Sequence, residues 1–193
     1  MKPGPGAGQE GDIRLVCDGT LGALCRWLRA AGYDTEFISP RRRARRDAPA
    51  QTEQLLEMAR TQGRMVLTRS QRIQAELGER AVLVRDDVPF HQVLEVAGRL
   101  NLSLTERALT RCREDNAVLH SATPGEVVGR VPQYVARTQS RFVACPRCGR
   151  VYWAATHRDS MLERLGEMER IRLGQAPLPS WTPPTDEGVT SSG

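Results

Sequence analysis

The chain has 193 residues, of which 39% are hydrophobic and only 5% aromatic, and its formal net charge is +5. This length fits one domain with an appendage, and the core must be built from aliphatic side chains. The excess positive charge favours a polyanionic partner, and no apolar stretch is long enough to span a membrane. Five cysteines without a recognisable signal peptide predict a reducing compartment, the cytoplasm, and no disulfide framework. Residues 1–11 are rich in Gly and Pro and predict a disordered lead.

From residue 13 onward, short apolar strands alternate with amphipathic helices. The predicted strands cover residues 13–17, 35–38, 65–68 and 81–84. The predicted helices cover residues 20–31, 52–62, 71–77 and 90–100. In the first helix, Arg26 and Arg29 fall largely off the apolar face. This alternation predicts an α/β fold of three layers, α/β/α, with a parallel sheet between helices on both faces.

Polar side chains directly follow several of these strands. They are Asp18, Ser70, Asp86 and Asp87. The carboxyl ends of parallel strands meet at one edge, where ligands bind, so these side chains should gather there. Clustered carboxylates suit Mg²⁺ or Mn²⁺. The alternative for Asp18 is that it only caps the following helix. No Gly-rich phosphate loop is present, which argues against a nucleotide cofactor.

The loop at residues 41–46 contains Arg41, Arg42, Arg43, Arg45 and Arg46. Blocks of like charge usually remain solvated and disordered. The alternative is an arm that contacts phosphates, because arginine pairs with phosphate oxygens through two parallel hydrogen bonds. The basic character of the whole chain favours the second interpretation.

The C-terminal half carries a pattern typical of zinc sites. Cys145-Pro-Arg-Cys148 is followed by a glycine and a short strand at 151–153, which favours zinc over a redox pair. Cys112 lies about thirty residues upstream, and Asp115 stands where a regular zinc ribbon has a second cysteine. A carboxylate can bind zinc, though less favourably than a thiolate. His120 and His157 are the alternative fourth ligands.

Basic and aromatic side chains are mixed in the same half. They are Arg137, Arg141, Arg147, Arg150 and Arg158, with Tyr134, Phe142, Tyr152 and Trp153. Such mixtures suit nucleic acid, although Phe142 and Trp153 could instead form a small core. A final helix is predicted at 159–173, followed by a disordered tail at 175–193.

Residues 18–34, with the sequence Asp-Gly-Thr-Leu-Gly-Ala-Leu-Cys-Arg-Trp-Leu-Arg-Ala-Ala-Gly-Tyr-Asp, resemble the signature of a known family. The similarity continues through 63–69, 130–135 and 145–153. The family is the Mut-seven C-terminal type RNase domain, a PIN-like nuclease fold with an appended zinc ribbon. The resemblance implies a PIN-like nuclease domain at 12–103 and a zinc-ribbon-like module with a C-terminal helix at 104–174.

The resemblance also implies a function and its residues. Asp18, Glu53, Asp86 and Asp87 would be the catalytic acids with Mg²⁺ or Mn²⁺, and RNA would be the substrate. Arg26 and Arg69 would bind RNA. The arginine loop, which the residues themselves favour as a further RNA contact, departs from the family, since the family tends to be acidic or neutral there. Cys112, Asp115, Cys145 and Cys148 would bind a structural Zn²⁺. Ser70 stands where the family has an acid. Two hypotheses follow: a metal-dependent ribonuclease, or a catalytically impaired RNA-binding module that keeps the fold, the basic surface and the ribbon.

Overall fold

The protein is described from a computed structural model that covers residues 13–39, 48–153 and 156–179, without the side chains of residues 48, 49, 156 and 157. The predicted N-terminal lead, the arginine loop at 41–46 and most of the predicted tail lie outside these residues. The side chain of His157 is likewise outside the description.

The first half of the chain forms a four-stranded parallel sheet, as predicted. Its strands are β1 (Arg14–Cys17), β2 (Asp34–Phe37), β3 (Met65–Thr68) and β4 (Ala81–Leu83). They lie in the order β2-β1-β3-β4, and all neighbouring pairs are parallel. Strand β3 therefore lies directly beside β1, so the two strands end next to each other at the carboxyl edge.

Helices cover both faces of this sheet, which confirms the predicted layering. They are α1 (Gly22–Ala30), α2 (Ala48–Thr61), α3 (Gln71–Leu77) and α4 (Pro89–Leu100). Leu15 and Cys17 pack with α1 and α4, whereas Val16 between them packs with α2 and α3. The two faces of β1 alternate because successive side chains in a strand point to opposite sides. The predicted and observed ends of these four helices differ by no more than two residues, except that α2 begins four residues earlier than predicted.

The second half contains a smaller, antiparallel sheet. Its strands are β5 (His120–Ala122), β6 (Phe142–Ala144) and β7 (Val151–Trp153), in that order. The short helices α5 (Pro124–Val127) and α6 (Gln133–Thr138) lie between β5 and β6. Val127, Val131, Val135 and Phe142 form part of a separate small core. Residues 110–153 are called the cysteine module below.

The last helix, α7 (Thr156–Arg172), packs against α4 on the parallel sheet's side of the molecule. Met161, Leu165 and Met168 belong to the same core as Leu15 and Val93. The chain therefore leaves the cysteine module and returns to the first core. Within the described residues, no helix is both long and apolar enough to cross a membrane.

Candidate active site and metal centre

Asp18 lies at the carboxyl edge of the parallel sheet, immediately after β1, and is only 9% exposed. Its Oδ1 accepts hydrogen bonds from the Thr20 amide at 2.9 Å and the Thr20 hydroxyl at 2.5 Å. Its Oδ2 accepts hydrogen bonds from the Thr68 hydroxyl at 2.6 Å and the Arg69 amide at 2.9 Å. Asp18 thus closes the turn after β1 and links the ends of β1 and β3.

These four bonds define what the Asp18 carboxylate can do. A carboxylate has about four lone-pair positions, and all four are engaged here. The bond to the Thr20 amide forms an Asx turn before α1. The alternative that Asp18 only caps this helix is wrong, because the N-cap is Leu21 and no described side chain caps the helix. However, two of the four donors are hydroxyl groups, which can rotate. An incoming cation would need to displace these hydroxyls while leaving the two amide bonds in place.

Asp86 and Asp87 follow the end of β4. Asp86 Oδ1 accepts from the Val88 amide at 2.8 Å, and its Oδ2 lies 3.3 Å from His91 Nδ1. The Asp87 carboxylate forms an ion pair with the guanidinium of Arg69. Arg69 therefore connects two of the predicted acids, because its amide binds Asp18 while its side chain binds Asp87.

The other predicted residues of this edge lie apart from that connection. Glu53 is an exposed residue of α2, and Arg26 is a half-buried residue of α1. The Ser70 hydroxyl accepts a hydrogen bond from the Ile73 amide at 3.4 Å, so it caps α3. Among the described residues, the acids of this edge form no group of three or more whose ligand atoms lie together.

Such a group exists in the cysteine module. One ligand atom from each of Cys112, Asp115, Cys145 and Cys148 lies within 4.8 Å of every other. The Sγ atoms of Cys112 and Cys148 are 3.7 Å apart, and Cys145 Sγ is 3.2 Å from Asp115 Oδ1. In a tetrahedral site with Zn–S bonds of about 2.3 Å, two sulfurs lie about 3.8 Å apart. The spacing and the ligand types fit, so the cluster could bind a metal such as zinc.

Two turns of the same shape supply these four side chains. In the first turn, the Cys112 amide donates to Ala117 O at 2.8 Å and the Asn116 amide to Cys112 O at 3.0 Å. In the second, the Cys145 amide donates to Arg150 O at 2.9 Å and the Gly149 amide to Cys145 O at 3.1 Å. Asn116 and Gly149 both have positive φ angles, 68° and 73°. Asp115 consequently occupies the position that corresponds to Cys148.

The crowding of the four ligand side chains shifts the pKa values of Cys148 and Asp115 in opposite directions. Desolvation, together with the neighbouring thiols and carboxylate, raises the pKa of the Cys148 thiol to about 12. Desolvation acts to raise the pKa of Asp115, but hydrogen bonds from the Ala117 amide and the thiols outweigh it and place this pKa below its usual value. A bound cation favours deprotonated thiols. The Arg147 and Cys148 amides, each 3.4 Å from Cys145 Sγ, stabilise a negative sulfur in the same way.

Of the two alternative histidine ligands, only His120 has a described side chain. His120 is exposed on β5 and is not part of the four-residue cluster. Tyr152 instead adds a further contact, since its hydroxyl lies 3.2 Å from Cys112 Sγ.

The comparisons with known proteins support the resemblance seen in the sequence. The Mut7-C RNAse domain matches residues 13–165, from the first strand to the middle of α7. The chain belongs to the Mut7-C RNAse domain family. Membership in this family suggests a ribonuclease-like function and RNA as the substrate. The searches of curated proteins and of solved structures found no match.

The sequence of this Mut7-C chain did not reveal every partner of the candidate site residues. Thr20 and Thr68 contact Asp18, and Asn116 lies between the cysteine cluster and β2. A polar residue at the end of an apolar strand, such as Thr68, is the signal that could have indicated one of these contacts. Arg29 was expected to lie largely off the apolar face of α1 but is buried, because its guanidinium donates to the Thr35 and Glu114 carbonyls at 2.8 Å and 2.5 Å.

Proposed function

We propose that this protein is a metal-dependent ribonuclease with a PIN-like fold that hydrolyses RNA phosphodiester bonds at the carboxyl edge of the parallel sheet. The observation that carries the proposal is the placement of Asp18. It follows β1, binds the end of β3 through two hydrogen bonds, and belongs to a chain of the Mut7-C RNAse domain family. Buried carboxylates at such an edge are typical ligand sites.

Asp18, Glu53, Asp86 and Asp87 would bind Mg²⁺ or Mn²⁺ in this proposal. The ion would activate a water molecule and stabilise charge on the phosphate in the transition state. The Thr20 and Thr68 hydroxyls would turn away from Asp18, and the carboxylate would keep its amide bonds. Opening of the exposed Arg69–Asp87 pair would free the Arg69 guanidinium for a phosphate oxygen.

The remaining parts of the proposal concern RNA binding and zinc. Arg26, Arg69 and the arginine loop at 41–46 would contact the RNA backbone. Cys112, Asp115, Cys145 and Cys148 would bind a structural Zn²⁺ in a zinc-ribbon-like module. All five cysteines are free thiols, which fits a cytoplasmic location.

A second candidate is an RNA-binding module that has lost catalysis. Two observations favour it: the four bonds to Asp18 use all its lone-pair positions, and Ser70 caps α3 where the family has an acid. The two candidates share the fold, the basic surface and the cysteine cluster. They differ in whether the acidic edge supports cleavage.

Cleavage of labelled RNA with and without added Mg²⁺ or Mn²⁺ separates the two candidates. We expect Asp18→Asn to reduce metal-stimulated cleavage by at least about a hundredfold, because it removes the central charge of the site. RNA affinity should change by less than about twofold, since phosphate contacts come mainly from arginines. Glu79→Gln is the matched control, because Glu79 is exposed and precedes β4 at the opposite edge.

Ser70→Asp provides a second test, in which cleavage should increase rather than decrease. Asp is as good a helix cap as Ser, so α3 should keep its first turn. A functioning metal site should gain affinity for Mn²⁺ and cleave faster with the added carboxylate. Metal-stimulated cleavage that survives Asp18→Asn unchanged would overturn the assignment of the site. No metal-stimulated cleavage by either wild type or Ser70→Asp would support the RNA-binding module.

A further inference from the structure

Residues 127–153 of the cysteine module carry charge of one sign. This stretch contains no Asp or Glu, and its five arginines are all exposed: Arg130, Arg137, Arg141, Arg147 and Arg150. Two carboxylates elsewhere in the module are already engaged. Glu126 accepts bonds from the Thr123 amide and hydroxyl, and Asp115 faces the thiols. A surface of this kind attracts a polyanion.

Tyr134 distinguishes this surface from an ordinary basic face. Its side chain is 70% exposed, whereas Phe142 lies in the module's core, Trp153 packs against that core, and Tyr152 contacts Cys112. The structure therefore shows which aromatic residue is exposed and which ones pack inside the module, a distinction that the sequence alone could not make. Tyr134 is the aromatic side chain that remains available for a ligand within the described part of the module.

Helix α6 and the turn before it place Tyr134 beside positive charge. Tyr134 and Arg137 are three residues apart on α6 and therefore lie on the same side of the helix. The buried residue between them, Val135, anchors the opposite side of α6 in the small core. Tyr134 thus extends from a fixed backbone rather than from a loose segment.

Arg130 connects this helix region to the cysteine cluster. Its guanidinium donates a hydrogen bond to the carbonyl of Gly149, in the turn between Cys148 and Arg150. Arg147, in the same turn, donates to Asp115 O at 3.0 Å. Within the described residues, no carboxylate pairs with Arg137, Arg141 or Arg150. Their charges are therefore available to phosphates.

We propose that Tyr134 and the five arginines, called the tyrosine–arginine face, bind a single-stranded segment of RNA. Tyr134 stacks on a base, and the arginines contact the adjoining phosphates. A double helix would offer phosphates but no free base to Tyr134, which is why the structure favours a single strand. The proposal rests on the proposed function for the identity of the ligand, and it adds a binding surface separate from the acidic edge.

The test measures binding in a variant that does not depend on cleavage. The protein carries Asp18→Asn throughout, and the probe is a fluorescein-labelled oligouridylate of about 20 nucleotides, followed by anisotropy without chelators. We expect Tyr134→Ala to weaken binding about five- to fiftyfold, which is the loss of one stacked base. Tyr134→Phe should stay within about twofold of the parent, because the ring that stacks is retained. The same probe annealed to its complement should lose the difference between the two variants.

The arginines are tested through the salt dependence. Arg137→Gln with Arg141→Gln should lower the slope of log affinity against log salt by about 1.4, since each of the two single-strand phosphate contacts contributes about 0.7. Arg80→Gln is the control, because Arg80 is exposed but precedes β4 outside the cysteine module. Circular dichroism and the unfolding temperature should match the parent for all variants, because every replaced side chain is exposed.

The outcomes distinguish this inference from the proposed ribonuclease. Equal affinities of Tyr134→Ala and Tyr134→Phe, with an unchanged salt slope, would overturn the tyrosine–arginine face whatever the wild type cleaves. Loss of binding in Tyr134→Ala would support it even if wild type shows no cleavage. Equal competition by poly-glutamate and by oligouridylate would also overturn it, because that result would indicate a general acidic partner.

Discussion

The guanidinium of Arg64 is buried at the amino-terminal edge of the parallel sheet, where its side chain is only 8% exposed. It donates to both Asp34 oxygens at 2.9 Å and 3.1 Å, and to the Leu15 carbonyl at 3.0 Å. Desolvation acts to raise the pKa of Asp34, but hydrogen bonds from Arg64 and Asn116 outweigh it and leave this pKa below its usual value. The Arg64–Asp34 ion pair is therefore part of the structure of the sheet, and its contribution to stability can be measured by removing the Asp34 charge.

We expect Asp34→Ala to lower the free energy of unfolding by about 3 kcal/mol, because it leaves a buried guanidinium without its anion. Glu76→Ala is the matched control, since it breaks the exposed Arg60–Glu76 pair and should cost less than about 1 kcal/mol. Urea unfolding at neutral pH measures both.

The pH dependence of the same pair provides a check on its cause. A carboxylate with a lowered pKa stabilises the fold above its usual pKa, and this contribution is lost as the pH falls through the lowered value. The stability difference between wild type and Asp34→Ala should thus shrink on acidification. A difference that stays constant down to pH 2 would contradict the charge-pair explanation.

At the level of single residues, sequence reasoning reached the positions but not the contacts. Asp18 was predicted at the carboxyl edge because it follows an apolar strand, and it lies there. Its bonds to Thr20 are local, but its bonds to Thr68 and Arg69 depend on the distance between two strands that are about fifty residues apart, which no local pattern contains. The burial of Arg29 was not predicted, because helical periodicity gives only the direction in which a long side chain leaves the helix. Its guanidinium extends further and donates to the carbonyls of Thr35 in β2 and Glu114 in the cysteine module.

Among the elements, strand β2 shows how the two halves of the chain are joined. As an edge strand it presents unpaired backbone groups, which proteins usually cover. Here Asn116 pairs one of them, because its Oδ1 accepts from the Thr35 amide at 3.0 Å, and its Nδ2 donates to the side-chain carboxylate of Asp34 at 2.7 Å. The turn that supplies Cys112 and Asp115 therefore also closes the edge of the parallel sheet.

Replacing Asn116 with glycine measures how much its side-chain contacts with β2 contribute to the free energy of unfolding. Asn116 and Asn101 both have left-handed φ angles, 68° and 51°, which glycine adopts without strain. We expect Asn116→Gly to cost about 2 kcal/mol or more, since it leaves the buried Thr35 amide of β2 without its partner. Asn101→Gly should change stability by less than about 1 kcal/mol, because Asn101 is exposed.

Amide exchange of Thr35 identifies the site of the effect. The Thr35 amide should exchange faster than in wild type in Asn116→Gly and at the wild-type rate in Asn101→Gly. Equal stability losses in the two variants would mean that the backbone conformation of Asn116, and not its side-chain contacts, is what matters.

The elements themselves were the most predictable part of the fold. Strand β3 and helix α3 have the predicted ends, because apolar runs and Ser70 define them locally. The early start of α2 was missed, since Ala48, Pro49 and Ala50 carry no apolar period. The contacts between the cysteine module and the parallel sheet were also missed, because they depend on Asn116, whose position against β2 no local pattern gives.

At the scale of the whole molecule, the two halves share several contacts within the described residues. Asn116 and Arg29 join the cysteine module to β2 and α1. The Leu109 amide donates to Ala30 O at 2.7 Å, and Gly32, with a φ of 94°, leaves room for the Arg107 backbone that a Cβ would contact. Helix α7 completes the connection, with Leu165 and Met168 fully buried in the first core.

This arrangement predicts that metal bound at the cysteine cluster stabilises the whole chain. A structural zinc site contributes its binding free energy to folding. Since the Cys112–Ala117 turn also covers β2, loosening that turn should expose the edge of the parallel sheet. We therefore expect a chelator to lower the unfolding temperature of wild type by roughly 10 °C or more in a single transition, as a loss of several kcal/mol implies. Cys145→Ser should unfold at a similarly low temperature and respond little to the chelator.

Cys25→Ala is the matched control, because Cys25 is a buried thiol outside the cluster. Its unfolding temperature should drop through lost packing, but the additional shift caused by chelator should equal that of wild type.

Hydrogen exchange followed separately in β1 and β6 locates the effect. Both strands should lose protection together when metal is removed, because Asn116 and α7 connect their cores. If β6 loses protection while β1 and β3 keep theirs, the two sheets are energetically independent, and the contacts of Asn116 and Arg29 contribute little to the parallel sheet.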